Sequence, residues 1–264
     1  MSLSPATQLA QLAAQRVLRR HAEAGADPTP ALPPLEWAKQ IAIVIQPTRG
    51  RIPLEPYPYQ ATFLEDQAPR RIILKARQIG MSQAVGLEAA YKATQYPDRT
   101  ILLVSRNQDL AINLLAYCYN AIGHMLDRLP ALVKNNASEL AFANGSRIKS
   151  LPANRATGPG FAARDVYLDE YAFQAYARDI YQAVGPAVSQ GGTLTILSSP
   201  DGRGNHYFQL WQGFEGGDWA RQMIRWDECP AYDAAWYARE RPKWTAQQWA
   251  SEYECDFVAS GAAV

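Results

Sequence analysis

Lys75-Ala-Arg-Gln-Ile-Gly-Met-Ser82, entered from the apolar run Arg71-Ile-Ile-Leu74, is the stretch on which the fold of this chain turns. A short apolar run that gives way to a glycine-bearing loop reads as the carboxyl end of a buried parallel strand, where ligands bind in open α/β sheets. The loop is close to a phosphate-binding P-loop, whose pattern needs two glycines, four residues between them, then Lys and a hydroxyl residue. Gly80 and Ser82 fit, but Lys75 stands where the first Gly is expected and Met81 where the Lys is expected. Such a loop aims backbone N–H groups and a helix N-terminus at an anion, with an ammonium to neutralise charge and a hydroxyl for Mg2+. Lys75 enters from the strand side on a stem long enough to reach phosphates, and Arg77 offers a second cation near a γ-phosphate. The competing reading is a plain strand-to-helix turn with Ser82 as its cap and surface cations around it.

Two more strand ends follow in order. Val166-Tyr-Leu168 runs straight into Asp169 and Glu170, and two carboxylates at the end of a buried strand are costly without a metal or a partner. In nucleotide hydrolases the first such acid holds Mg2+ and the second polarises the attacking water. The alternative is an exposed turn after a strand. Enough chain separates Ser82 from this pair for two or three βα units. Thr193-Leu-Thr-Ile-Leu197 then delivers Ser198 and Ser199, with Pro200 and Gly202 turning the chain away. Hydroxyls at a strand tip can bond a γ-phosphate or the lytic water, although two serines before a proline also make an ordinary turn.

The rest of the chain supports an α/β reading. Strands are expected at 71–74, 100–104, 139–142 paired with 147–150, 165–168 and 193–197, with helices after Ser82, Asp109 and Asp179. This is largely the βαβ rhythm of a parallel sheet with helices on both faces, with a hairpin at 139–150. Residues 3–24 read as a helix with Leu9, Leu12, Val17 and Leu18 on one side and Arg16, Arg19 and Arg20 around the other. Residues 25–34 form a proline-rich linker, and 35–45 read as a second helix. The aromatic-rich stretch from Trp211 to Phe257 has helical segments at 234–240 and 246–253, its tryptophans read as packing groups.

Composition narrows the function classes. Hydrophobic content of 48% over 264 residues supports a large folded core. No apolar run reaches the ~18 residues of a membrane span, and the N-terminus has no signal-peptide core. Cys118, Cys229 and Cys255 are far apart without a CxxC pair, which suggests neither a disulfide framework nor a zinc site, and His21, His124 and His206 form no metal-spaced set. A net charge of +1 argues against coating DNA by bulk electrostatics. Local cations at Arg70-Arg71, from Arg147 to Arg155, and at Arg203 with His206 nearby are expected to be solvated charge or contacts to DNA phosphates.

Taken together and in order, these residues resemble the ATPase domain of the large terminase subunit of tailed bacteriophages, the motor that packages DNA into procapsids. The likeness covers Leu54 to Phe257. Pro56-Tyr-Pro-Tyr-Gln60 resembles the family's adenine-recognising segment, and Lys75 to Ser82 resembles its Arg-Gln-x-Gly P-loops, including the displaced lysine of some members. Leu103-Val-Ser-Arg-Asn-Gln108 looks like the strand and loop that follow, and Ser150-Leu-Pro-Ala153 with Gly158 and Gly160 like the stretch before the acids. Ser198-Ser-Pro-Asp-Gly-Arg-Gly-Asn205 resembles the coupling motif.

The resemblance implies an α/β P-loop NTPase fold of the RecA/ASCE type, with ATP and Mg2+ as cofactors. Gln60 would read adenine, the nucleotide would lie along Lys75, Ala76, Arg77, Gln78, Ile79, Gly80, Met81 and Ser82, and Ser82 with Asp169 would hold the metal. Lys75 and Arg77 would neutralise phosphate charge, Glu170 would activate water, and Ser198 and Ser199 would couple the γ-phosphate to movement. Implied partners are double-stranded DNA, a portal protein, a small terminase subunit and further copies in a ring, with no membrane, in the cytoplasm of a bacterial host. The expected layout is an N-terminal helix and linker at 1–34, the packaging ATPase domain at 35–257 and a tail at 258–264. Large terminases usually carry a second, nuclease domain, and the seven residues after Phe257 leave no room for one, so no nuclease activity is expected. A helicase-like DNA translocase shares these motifs, and a nucleotide-binding docking module without turnover is the reading that Met81 prompts.

Overall fold

In the computed structural model, residues 32–46, 50–157, 163–189 and 191–257 are described. The helix expected at 3–24, most of the linker, Gly158, Gly160 and the tail 258–264 lie outside them. The described chain begins with α1 (Pro34–Ile41), started by a proline at its first turn, where a missing N–H costs nothing. The helix expected to continue to residue 45 stops there. Ala42 is extended, and the β-branched run Ile43-Val-Ile forms β1 (Ile43–Gln46), antiparallel to β2 (Gly50–Pro53).

From α2 (Pro58–Glu65) onward the βα rhythm takes over: β3 (Arg70–Lys75), α3 (Met81–Gln95), β4 (Thr100–Ser105), α4 (Gln108–Ile122) and the meander β5 (Leu132–Asn136), β6 (Glu139–Phe142), β7 (Arg147–Pro152). Then come β8 (Asp165–Asp169), α5 (Ala177–Ser189), β9 (Thr193–Ser198), α6 (His206–Gln212), β10 (Ala220–Ile224), α7 (Ala234–Glu240) and α8 (Ala246–Glu252). The eight-stranded sheet runs β10-β3-β9-β8-β4-β7-β6-β5. It is parallel from β10 to β7 and antiparallel across β7, β6 and β5. The hairpin expected at 139–150 is β6 and β7. Sequence reading missed both edge strands. In β5, Leu-Val-Lys-Asn-Asn is almost wholly exposed, and β10 alternates half-buried and exposed residues, so neither carries the apolar run that marks an inner strand.

Period-two alternation splits the strands between two cores. Ile73, Ile101, Leu103, Tyr167 and Leu197 pack with α3 and α4, whereas Ile72, Leu102, Val104, Val166 and Ile196 pack with α5 and α6. Each fully buried aliphatic side chain contributes about 1.5–3 kcal/mol through burial, so the layered sheet holds its strand tips firmly. The α3–α4 contact is unusually close at Gly86, where a Cβ would sit 2.7 Å from Tyr117 Cβ.

The amino ends of the strands enclose a buried ion network. Arg71 binds Glu88 at 2.6 Å, and Lys92 bridges Glu88 at 3.2 Å and Asp165 at 2.9 Å, with Arg99 at 3.2 Å from Asp165. Burial raises the Asp165 carboxyl, but Lys92 and Arg99 overcome it and hold it below its ordinary value. Arg71, expected at the surface or on DNA, is therefore a core residue, 2% exposed. His206, grouped with the Arg203 cations, is likewise buried, against Tyr171 and Glu215.

Candidate nucleotide site

Three strand tips converge. In the sheet β9 lies between β3 and β8, with Leu74 opposite Ser198 and Leu197 opposite Asp169. Lys75 Nζ reaches across this gap to Glu170 Oε1 at 2.7 Å, and Ser82 Oγ, at the start of α3, donates to Asp169 Oδ2 at 2.9 Å. Two contacts thus join the end of β3 and the start of α3 to the acids at the end of β8.

The loop geometry explains its residues. Gln78 and Gly80 are left-handed, at φ of 57° and 78°, and Gly80 is the N-cap of α3. A Cβ at Gly80 would meet Gln60 Nε2 at 2.9 Å. Three successive loop carbonyls have side-chain donors: Tyr232 Oη on Gln78 O at 3.0 Å, Tyr59 Oη on Ile79 O at 2.7 Å and Gln60 Nε2 on Gly80 O at 3.0 Å. The backbone N–H of Ala76 donates to Ile224 O and that of Arg77 to Glu252 O, which ties the loop to β10 and α8. Gln60, expected to read adenine, also accepts from Tyr57 N at 3.0 Å, so its amide braces α2 against the loop.

Not every expected group faces the acids. Arg77 turns toward α8, 3.6 Å from Glu252 Oε2 and 5.5 Å from the Trp244 ring centroid, because that carboxylate and ring face offer it a partner outside the loop. Met81, at the usual lysine position, is 2% exposed and packs in the core with α3 and α4, leaving Lys75 as the ammonium at the acids. Ser198 is fully buried and its Oγ accepts from Ala172 N at 3.1 Å, so it engages the turn that follows the acids; Ser199 is buried beside it.

That turn is tightly braced. Glu170 is left-handed at φ 53°, a conformation that costs a non-glycine residue roughly 1–2 kcal/mol. Asp169 Oδ1 accepts from Glu170 N at 3.0 Å, and Gln174 Nε2 donates to Asp169 O at 2.8 Å. Electrostatics follow from burial. Burial alone would lower Lys75, but the Glu170 and Asp169 carboxylates hold its ammonium above the ordinary value. Burial, then Glu170, pushes the Asp169 carboxyl up to about 6 against the opposing pull of Lys75 and Ser82.

Ser82 Oγ and Asp169 Oδ2 lie side by side, a pair of oxygens that would suit a hydrated Mg2+, since that ion takes one or two protein oxygens and fills the rest with water and phosphate. Sequence reasoning did not find Tyr59, Tyr232, Tyr171 or Gln174. Their hydroxyls and amide meet backbone carbonyls through the fold, and nothing in their spacing announces this.

A family-level comparison matches residues 72–264 to the family described as terminase large subunit, T4likevirus-type, N-terminal. The chain belongs to this family. Among solved structures, this terminase chain is similar to the large terminase ATPase domain of Thermus phage P74-26, with TM-score 0.63 and 20% identity over 77% of this chain and 94% of that one. The large terminase of bacteriophage HK97 matches with TM-score 0.62 and 15% identity over 80% of this chain and 50% of its own. A large terminase from a thermophilic bacteriophage, in complex with ADP, matches with TM-score 0.61 and 12% identity over 77% of this chain and 54% of its own. The terminase chain therefore spans about half the length of the two whole large terminases, and shares with all three a mostly parallel α/β fold flanked by helices.

Proposed function

We propose that this terminase chain hydrolyses ATP to drive double-stranded DNA into a procapsid. The observation that carries the reading is the pair of contacts Lys75–Glu170 and Ser82–Asp169, made across β9 between a P-loop-like turn and a carboxylate pair. Phosphate oxygens on the loop would compete with Glu170 for the Lys75 ammonium. Transfer of Lys75 to the phosphates leaves the Glu170 carboxylate free to take a proton from water. The water oxygen then bonds to the γ-phosphorus as the bond to the bridging β–γ oxygen breaks, giving ADP and inorganic phosphate. Ser82 and Asp169 would hold Mg2+, which would supply neutralisation of phosphate charge. Ser198 would pass the change at the acids into β9 through its contact with Ala172 N.

Arg77 enters this scheme by leaving Glu252 for phosphate, and Gln60 by setting the position of Gly80. The motor reading brings its partners with it: double-stranded DNA, a portal protein, a small terminase subunit and a ring of copies, in the cytoplasm of a bacterial host. DNA cleavage is not part of what we propose for residues 35–257. The test is steady-state ATP hydrolysis by the chain and its Glu170→Gln variant, with and without double-stranded DNA. Turnover that vanishes in the variant supports the motor. Binding without turnover in both points to a docking module, and no binding in either removes the nucleotide site.

A further inference from the structure

Four residues beyond the family motifs form a chain of contacts that ends at the acid turn. Tyr171, the residue after Glu170, is fully buried, and its hydroxyl donates to Ala177 O at 2.8 Å while lying 2.6 Å from His206 Nδ1. The other ring nitrogen, Nε2, is 2.8 Å from Glu215 Oε2, and Glu215 Oε1 is 2.7 Å from the Arg178 guanidinium. The His206 ring is packed edge-on to Tyr181 at 5.1 Å. His206 therefore sits in one orientation, held at both nitrogens and by the Tyr181 ring.

The base on which it stands is also fixed. His206 opens α6, which Asn205 caps by accepting from Phe208 N at 3.0 Å. The next residue, Tyr207, is fully buried and donates its hydroxyl to Ile73 O at 2.6 Å, with Ser198 O at 3.4 Å. The first two residues of α6 thus touch the strand before Lys75, the strand of Ser198 and the turn of Glu170. A buried histidine between a tyrosine and a glutamate is often only a satisfied core residue. Here its partner directly follows a left-handed glutamate, and side-chain contacts beyond a reacting group commonly set its aim.

We propose that His206 is a positioning residue for Glu170: through the Tyr171 hydroxyl it fixes the left-handed turn that aims the Glu170 carboxylate at the site. The inference rests on the ATP-hydrolysing reading. It is tested on the full chain by comparing Tyr171→Phe, which keeps the ring packing and loses only the hydroxyl, with His206→Ala and the double variant. Each single change is expected to lower kcat about 10- to 100-fold with nucleotide Kd within about twofold of the parent, and the double variant to fall no further than the worse single. Parent-like kcat in Tyr171→Phe, or losses that multiply in the double variant, overturns the proposal.

Amide hydrogen exchange over residues 169–174 gives a readout that needs no turnover. Faster exchange of this segment in both single variants is expected, and unchanged exchange overturns the proposal. A parent chain that fails to hydrolyse ATP counts against the function proposed above, while the exchange result still decides the role of His206.

Discussion

Asp169→Asn should make this protein more stable at neutral pH while abolishing its turnover. Asp169 is 5% exposed, and burial together with Glu170 pushes its carboxyl from the ordinary 3.8 to about 6. An acid whose folded pKa is raised weakens the fold only when ionised. Its cost sets in near the unfolded value, at about pH 4, grows as pH rises to about 6, and is nearly complete above that. A rise from 3.8 to about 6, at about 1.4 kcal/mol per pH unit, sets that cost at about 3 kcal/mol. Asparagine removes the charge and keeps both contacts, since its carbonyl oxygen accepts from Glu170 N and its amide donates to Ser82 Oγ. The variant should therefore gain up to about 3 kcal/mol at pH 8 and only about 1 kcal/mol at pH 4.5. For a chain of this size that is roughly 6–12 °C in Tm. Thermal denaturation followed by circular dichroism from pH 4.5 to 8, with a chelator present, measures it alongside ATP hydrolysis. A Tm at pH 8 no higher than the parent's, or a gain of equal size at both ends of the range, refutes the reasoning.

Lys75→Ala should lower ATP hydrolysis at least about 100-fold, since no other ammonium reaches the acids among the contacts described; unchanged turnover would mean that Lys75 is not the phosphate cation. Glu88→Ala should cost about 3–5 kcal/mol in urea denaturation, because it leaves Arg71 and Lys92 buried without their shared carboxylate; a loss under about 1 kcal/mol would place the network in solvent. Gly86→Ala should cost about 1–3 kcal/mol through the α3–α4 contact, where a Cβ would lie 2.7 Å from Tyr117 Cβ and 3.1 Å from Cys118 N; a stability within error of the parent would show that the helices part easily.

The parts legible in the sequence are those with apolar runs that end in polar groups. Ile72-Ile-Leu74, Val166-Tyr-Leu168 and Thr193 to Leu197 mark inner strands because both faces are buried, and their tips carry Lys75, Asp169 and Ser198. The strand order, which sets β9 between the P-loop strand and the acid strand, is written in no local pattern; it comes from how the two cores are covered. The edge strands β5 and β10 lack an apolar run, and β1 was hidden because Ile43-Val-Ile continues the apolar spacing of α1. Charge is the least legible feature. Arg71 and His206 look like surface cations in sequence, yet Glu88 and Glu215 lie many residues away and draw them inside. Arg77 is decided in the same way, by Glu252 on α8.

The central claim is that Lys75 serves phosphate and Glu170 serves water at one site. A crystal structure of this chain with a slowly hydrolysed ATP analogue and Mg2+ tests it most directly. Lys75 Nζ is expected about 3 Å from a β- or γ-phosphate oxygen, released from Glu170, with Ser82 and Asp169 on the metal side. Phosphates bound away from the Lys75–Ser82 loop, or Lys75 still paired with Glu170 and touching no phosphate, would contradict it.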